Sequence, residues 1–170
     1  MDKLVDGITA KSGRIVGFLP GLLFFIASII FPVAPSWSAD ESWVFNLNPK
    51  FEKDYSYSIG VRAGDYLFIG GVTAVDEEGN EVYANDMKKQ MELIYQRVGK
   101  VLAAHGASFR HVVRETILTT DMERYVSEAQ EVRSRYYQGV AGPTASGAEV
   151  TRFTSDNILV EITLIAYLGE

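Results

Sequence analysis

From Tyr55 to Val61 the bulky residues Tyr55, Tyr57, Ile59 and Val61 alternate with Ser56, Ser58 and Gly60, the two-residue period of a strand. Ala63-Gly64-Asp65 is a turn. Tyr66–Ile69 forms a second strand ending at Gly70-Gly71, and Val72–Val75 continues in extended form to a turn at Glu77-Glu78-Gly79-Asn80. The period then changes. Met87, Met91, Ile94, Tyr95, Val98, Val101 and Leu102 recur at helical spacing, with Asn85 or Asp86 able to cap the start and Gly106 the end. Val112–Thr120 is β-branched and strand-like. A second amphipathic helix runs from about Glu123 to Gly139, with Tyr125, Ala129, Val132 and Tyr136 on one face. Ala148–Arg152 and a long last strand, Ile158–Leu168, complete the pattern.

The order, strands interrupted by two helices, is that of an α+β domain with a mostly antiparallel or mixed sheet. Val44, Phe45 and Leu47 in the lead-in Asp40–Lys53 can cover a sheet edge. Two helices can cover only one face. Yet the last strand carries apolar residues at both parities: Ile158, Val160, Ile162 and Leu164 on one, Leu159 and Ile165 on the other. A second apolar face is most readily covered by another copy of the chain, so an oligomer is expected.

The first 39 residues differ from the rest. Lys3, Lys11 and Arg14 precede a run of 19 residues, Ile15 to Val33, without a charged side chain, followed by Pro35-Ser36-Trp37-Ser38-Ala39. A basic start, an apolar run and small residues form the pattern of a secretory signal, with Ser36 and Ser38 at the third and the last position before the cleavage point. The run also approaches the roughly 20 residues that span a bilayer. Three readings stay open: a cleaved signal, a retained N-terminal anchor, or a buried helix interrupted by Pro20, Gly21 and Pro32. In the first two, residues 40–170 form an exported domain, periplasmic or extracellular, and touch a membrane only through residues 15–33 if these are retained.

Charge and cysteine content narrow the chemistry. Two of the 22 acidic residues (Asp2, Asp6) and three of the 16 basic ones precede Asp40, which leaves the domain 20 acidic against 13 basic residues and a net charge of −7. Nucleic acid demands a basic face, so it is not an expected partner. With no cysteine the chain has no disulfide, thiol catalysis or thiolate-bound metal. His105 and His111 lack any HExxH-like spacing, Gly70-Gly71 and the Gly139–Gly147 stretch are not phosphate loops, and no nucleophile turn is present. Neither a metal nor a cofactor is expected.

One residue breaks the pattern. Glu161 lies within Ile158-Leu159-Val160-Glu161-Ile162-Thr163-Leu164-Ile165, a strand that otherwise reads as buried. A buried carboxylate must be paired, hydrogen-bonded or protonated. Glu161 is therefore either an acid/base group in a cleft or a structural hydrogen bond at a subunit contact or edge. Tyr57, beside Gly-rich turns, is the one tyrosine singled out as a ligand contact.

The stretch Val101-Leu102-Ala103-Ala104-His105-Gly106-Ala107-Ser108, then Val112-Val113-Arg114-Glu115-Thr116-Ile117-Leu118-Thr119-Thr120-Asp121-Met122, resembles the RidA/YjgF reactive-intermediate deaminase family, also called endoribonuclease L-PSP. The similarity runs from about Tyr55 to Ala166 and includes Gly64-Asp65, Gly70-Gly71, Pro143, Glu149-Val150, Arg152 and Leu159-Val160-Glu161-Ile162. The resemblance implies a chorismate-mutase-like (YjgF-like) ββαβαββ domain assembled as a homotrimer, with small-molecule clefts between subunits. In the family's active branch an Arg in a P-A-R-[ST] motif grips the carboxylate of a 2-imino acid, and a Glu on the last strand positions the hydrolytic water. On this basis Glu161 is the catalytic candidate. Tyr57, Gly71, Gln130, Ala145 and Ser146 occupy the substrate-binding positions, Gln130 standing nearest to a family Asn on the second helix.

The Arg is missing. Pro143-Thr144-Ala145-Ser146 places Ala145 at its position, and Arg152 matches a separate, structural family Arg. Losing one partner of a desolvated charge pair typically costs about 2–5 kcal/mol. With no positive residue identified near Glu161, its pKa is expected to rise and small anionic imino acids to be repelled. Only another subunit's Arg, with Arg62 and Arg114 as candidates, would restore the usual grip. Two functions remain: an imine- or amide-type hydrolase with altered substrate choice, acting on a neutral or cationic small molecule with Glu161 as acid/base, or a non-catalytic ligand-binding trimer. RNA cleavage fits neither the charge nor the histidines.

Overall fold

The computed structural model describes residues 43–169. Six strands form one sheet in the order β1-β2-β3-β6-β4-β5. They are β1 (Val44–Phe45), β2 (Gly60–Ala63), β3 (Tyr66–Val72), β4 (Val112–Thr119), β5 (Thr144–Glu149) and β6 (Val160–Tyr167). All neighbours are antiparallel except β4 and β5, which run parallel. The lead-in covers the edge as its composition suggested, with Val44 opposite Val61.

Helix α2 (Met87–Ala104) lies across one face, and its apolar stripe is the core. Met87, Met91, Ile94, Val98, Val101 and Leu102 are fully buried against Leu67, Ile69, Val72, Ile162 and Leu164. Of the two candidate caps Asp86 serves, its carboxylate accepting from Lys89 N at 3.0 Å. Gly106 takes the left-handed conformation (φ 70°) just past the helix end, and Ala107 N donates back to Leu102 O. The second helical region is three pieces: α3 (Met122–Arg124), a π-helical turn (Tyr125–Ala129) and α4 (Gln130–Tyr136). The π turn inserts a residue and moves Gln130, the first residue of α4, to the exposed surface.

Strand β6 alternates strictly. Val160, Ile162, Leu164 and Ala166 are buried beneath the helices, whereas Glu161, Thr163 and Ile165 are half-buried and Tyr167 exposed on the opposite face. The strand is therefore not buried on both sides, and Glu161 belongs to the open face rather than interrupting the core. Tyr66 and Phe68 share that face and are 46% and 44% exposed. Among the described residues no helix covers it.

Two expected strands are placed differently. Tyr55–Ser58 is not extended, because Pro49–Asp54 forms helix α1 and β2 begins only at Gly60. Asn48 caps α1 with Pro49 behind it. The carboxylate of Glu52, 1% exposed, accepts from Asn48 N and Ile59 N, both at 2.7 Å. These bonds tie the two ends of the segment together and override the tyrosine alternation; Ser56 turns the chain at φ 56°. Near the C-terminus the strand is Thr144–Glu149, not Ala148–Arg152. It is exposed throughout and held by its pairing with β4, Glu115 opposite Ala145 and Thr116 opposite Ser146.

A polar cluster joins α2, β4 and α4. Glu115 is fully buried and accepts from Tyr95 Oη at 2.6 Å, Tyr137 Oη at 3.2 Å and Arg133 Nε at 2.5 Å. The Arg133 guanidinium lies over the Tyr137 ring, and Tyr95 stacks on Tyr136. Burial, reinforced by Glu115, pushes the Tyr95 and Tyr137 hydroxyls far up, so both stay protonated donors.

Candidate active site

The open end of the sheet and the α1 segment enclose a cavity of about 500 Å³. Its floor is Gly71 on β3 and Glu161 on β6; its wall includes Phe51, Tyr57 and, from α2, Arg97. Strand alternation aims Glu161 here. The paired strand supplies the room: a Cβ on Gly71 would stand 2.5 Å from Glu161 Cδ. Glycine here leaves the space of its side chain to the Glu161 carboxyl.

The Glu161 carboxyl forms no hydrogen bond or salt bridge among the described residues, and burial alone pushes its pKa up. Within the chain this carboxyl is not committed to donors, unlike those of Glu52 and Glu115, so it is free for a ligand or for a second copy of the chain. Tyr57 meets the cavity with its ring edge-on to Phe51 at 6.4 Å. Its hydroxyl is raised by burial and by Glu52, and pulled partly back by Arg97.

Arg97 changes the electrostatic picture. Arg97 lines the same cavity and is 8% exposed, yet the Glu161 pKa rises as expected, with burial its only cause. Its Nη1 donates to Val75 O at 2.8 Å and Asp76 O at 3.4 Å, while Nε has no partner. It is held by backbone carbonyls, not by a carboxylate.

The remaining positions are not in this cavity. Ala145 and Ser146 lie on β5, beside a separate depression of about 220 Å³ that Arg114 and Thr144 also line. Ser146 Oγ is 3.4 Å from Thr116 Oγ1. Gln130 is exposed on α4, and Arg152 follows the end of β5 and lines neither hollow. Arg62 is occupied with Gly64 O at 3.0 Å. Thus Tyr57, Gly71 and Glu161 converge within one chain, and Gln130, Ala145 and Ser146 do not join them. Among the described residues no group of three histidine or acidic side chains could hold a metal, and no helix is long and apolar enough to cross a membrane. The apolar run at residues 15–33 lies outside the described residues.

A family model described as Endoribonuclease L-PSP matches residues 48–168. The chain belongs to this family, the RidA/YjgF family. A RutC family protein of Pyrococcus horikoshii is 32% identical over 111 residues, 65% of this chain and 86% of that one. The chloroplastic Reactive Intermediate Deaminase A of Arabidopsis thaliana is 27% identical over 112 residues, 66% of this chain and 58% of that protein. A solved Mycobacterium tuberculosis structure, described as a member of the conserved YjgF family, superposes with a TM-score of 0.63 at 29% identity, covering 73% of this chain and 97% of its own. The six-stranded sheet with helices on one face is therefore the YjgF-like fold. The match covers the stretch from Tyr55 to Ala166 over which the sequence resembles the family.

Proposed function

We propose that this RidA/YjgF-family protein hydrolyses C=N bonds of a small molecule in the cavity over Gly71, with Glu161 orienting the attacking water and taking up its proton. The observation that carries this reading is the uncommitted Glu161 carboxyl, half-buried in the cavity with its pKa raised by burial toward the range useful for proton transfer. A family relative that bears a deaminase name supports the reaction type. The open sheet face with Tyr66 and Phe68 supports assembly as a homotrimer with clefts between subunits. Export, or anchoring by residues 15–33, rests on the sequence pattern alone.

The usual substrate is not the expected one, because Ala145 cannot grip a carboxylate next to the C=N carbon. Ammonia or amine release from small imines tests this with the full chain and with Ala145→Arg. Wild type is expected to act poorly on small 2-imino acids, and Ala145→Arg to improve on them. Wild-type activity on 2-imino acids that Ala145→Arg leaves unchanged would refute the role given to position 145. The same position favours a second reading, a trimeric binding module. It gains if no imine is hydrolysed faster than in buffer while a small molecule still binds.

Gly71 provides an independent check. In Gly71→Ala the new Cβ must push the Glu161 carboxyl aside. The displaced group is the far end of a flexible side chain, so stability falls by no more than about 1 kcal/mol. Hydrolysis, which needs the carboxyl in place, falls on the order of 10–100-fold. Thermal unfolding and rates on the same preparation separate the two effects.

A further inference from the structure

The cavity carries one buried cation that the hydrolytic reading does not use. Arg97 projects from the buried face of α2, with Ile94 one turn before it and Val101 one turn after, and ends at the cavity wall. A guanidinium removed from water needs an anion or a full set of acceptors. Arg97 has two backbone carbonyls, both on Nη1; Nε and Nη2 make no hydrogen bond among the described residues, and no carboxylate there lies within salt-bridge distance. The carboxylates of Glu52, Asp76 and Glu77 act on Arg97 through space without bonding it, and Glu52 spends both oxygens on backbone N–H groups. Nε is sealed from the cavity, so a ligand can reach the guanidinium only through its Nη groups.

We infer that Arg97 anchors a carboxylate of the ligand at the end of the cavity away from Glu161, and that the ligand is a small carboxylic acid with a flat apolar body between this anchor and its C=N bond. The assignment rests on the proposed hydrolysis only for the C=N bond; the anchor stands on geometry alone. Three observations fix the class. Phe51, Tyr55, Tyr57 and Phe153 line the cavity and make its wall aromatic, which suits a flat apolar body. The volume of about 500 Å³ far exceeds the few atoms of a small 2-imino acid. Arg97 is bonded to Val75 O, whereas Glu161 fills the space over Gly71 four residues earlier, so one carboxylate cannot meet Arg97 while its own α-carbon meets Glu161. Anionic recognition has thus moved from the β5 position, now Ala145, to α2.

The test is binding of 3-phenylpropanoate against its neutral amide, 3-phenylpropanamide, to the full chain by calorimetry. The acid is expected to bind at least about tenfold more tightly than the amide, because only the acid completes the Arg97 site. Arg97→Gln keeps an N–H donor for the Val75 carbonyl and removes the charge, and it should erase the difference. Glu161→Gln should retain it. Equal binding of acid and amide by wild type, or a preference that survives Arg97→Gln, would overturn the assignment. The wild-type comparison decides even if Arg97→Gln fails to fold. An intact acid preference in a protein that accelerates no imine hydrolysis would leave the anchor standing and remove only the catalytic reading.

Discussion

Arg133→Met is expected to destabilise the domain by about 3–5 kcal/mol, the cost of leaving one member of a buried ion pair without its partner. Glu115 is fully buried and holds the strand between two helices through Arg133, Tyr95 and Tyr137. Without Arg133 the carboxylate keeps two phenol donors but no counter-charge. The reverse variant, Glu115→Gln, should cost less, because Tyr95 and Tyr137 keep an acceptor and Arg133, with 21% of its side-chain surface exposed, can turn to water. If Glu115→Gln is combined with Arg133→Met, most of the loss should return, because no charge is then left buried and Tyr95 and Tyr137 keep an acceptor. Urea unfolding of the three proteins gives the ordering directly. A loss below about 1 kcal/mol for Arg133→Met would show that the pair is solvated in solution.

Glu161→Gln should lower imine hydrolysis by roughly 10²–10⁴, the usual contribution of a positioned acid/base group. The change is nearly isosteric and Glu161 makes no hydrogen bond among the described residues, so the fold should not suffer. Stability should move the other way. The folded state raises the Glu161 pKa, and the folded protein therefore keeps a proton that the unfolded chain has already lost. At neutral pH the ionised, partly desolvated carboxylate costs stability, and glutamine removes that cost. The variant should unfold at a higher temperature near neutrality, and its advantage should vanish as pH falls below the ordinary carboxylate range. A variant that loses both rate and stability would instead mark Glu161 as structural.

Legibility followed the strength of local periodicity. Helix α2 shows in the chain because its stripe from Met87 to Leu102 keeps helical spacing and Asp86 and Gly106 bound it. Glu161 shows because a charge stands in an apolar run, although the face it occupies is settled by the helices covering only the other side. Helix α1 was hidden: Tyr55, Tyr57 and Ile59 imitate a strand, and the bonds from Glu52 to Asn48 and Ile59 that fix the segment leave no periodic mark. Strand β5 is small, polar and exposed, and only its pairing with β4 makes it a strand. Two signals were present but masked by composition. Arg97 falls on the same helical face as Ile94 and Val101 yet resembles the solvated Lys88, Lys89 and Lys100 of the same helix. Glu115 shares the parity of Ile117 and Thr119, all three buried.

A loss of rate in one variant can have several causes, but a loss of ionisation has one. The decisive quantity is the ratio of wild-type to Glu161→Gln rates for one imine between about pH 4 and pH 8, because substrate protonation cancels in the ratio. The ratio should rise with pH along a single titration whose midpoint lies above the ordinary carboxylate range, as the desolvated carboxyl gives up its proton. A ratio near one at every pH, or one that does not change across that interval, would contradict the assignment of Glu161 as the group that activates water.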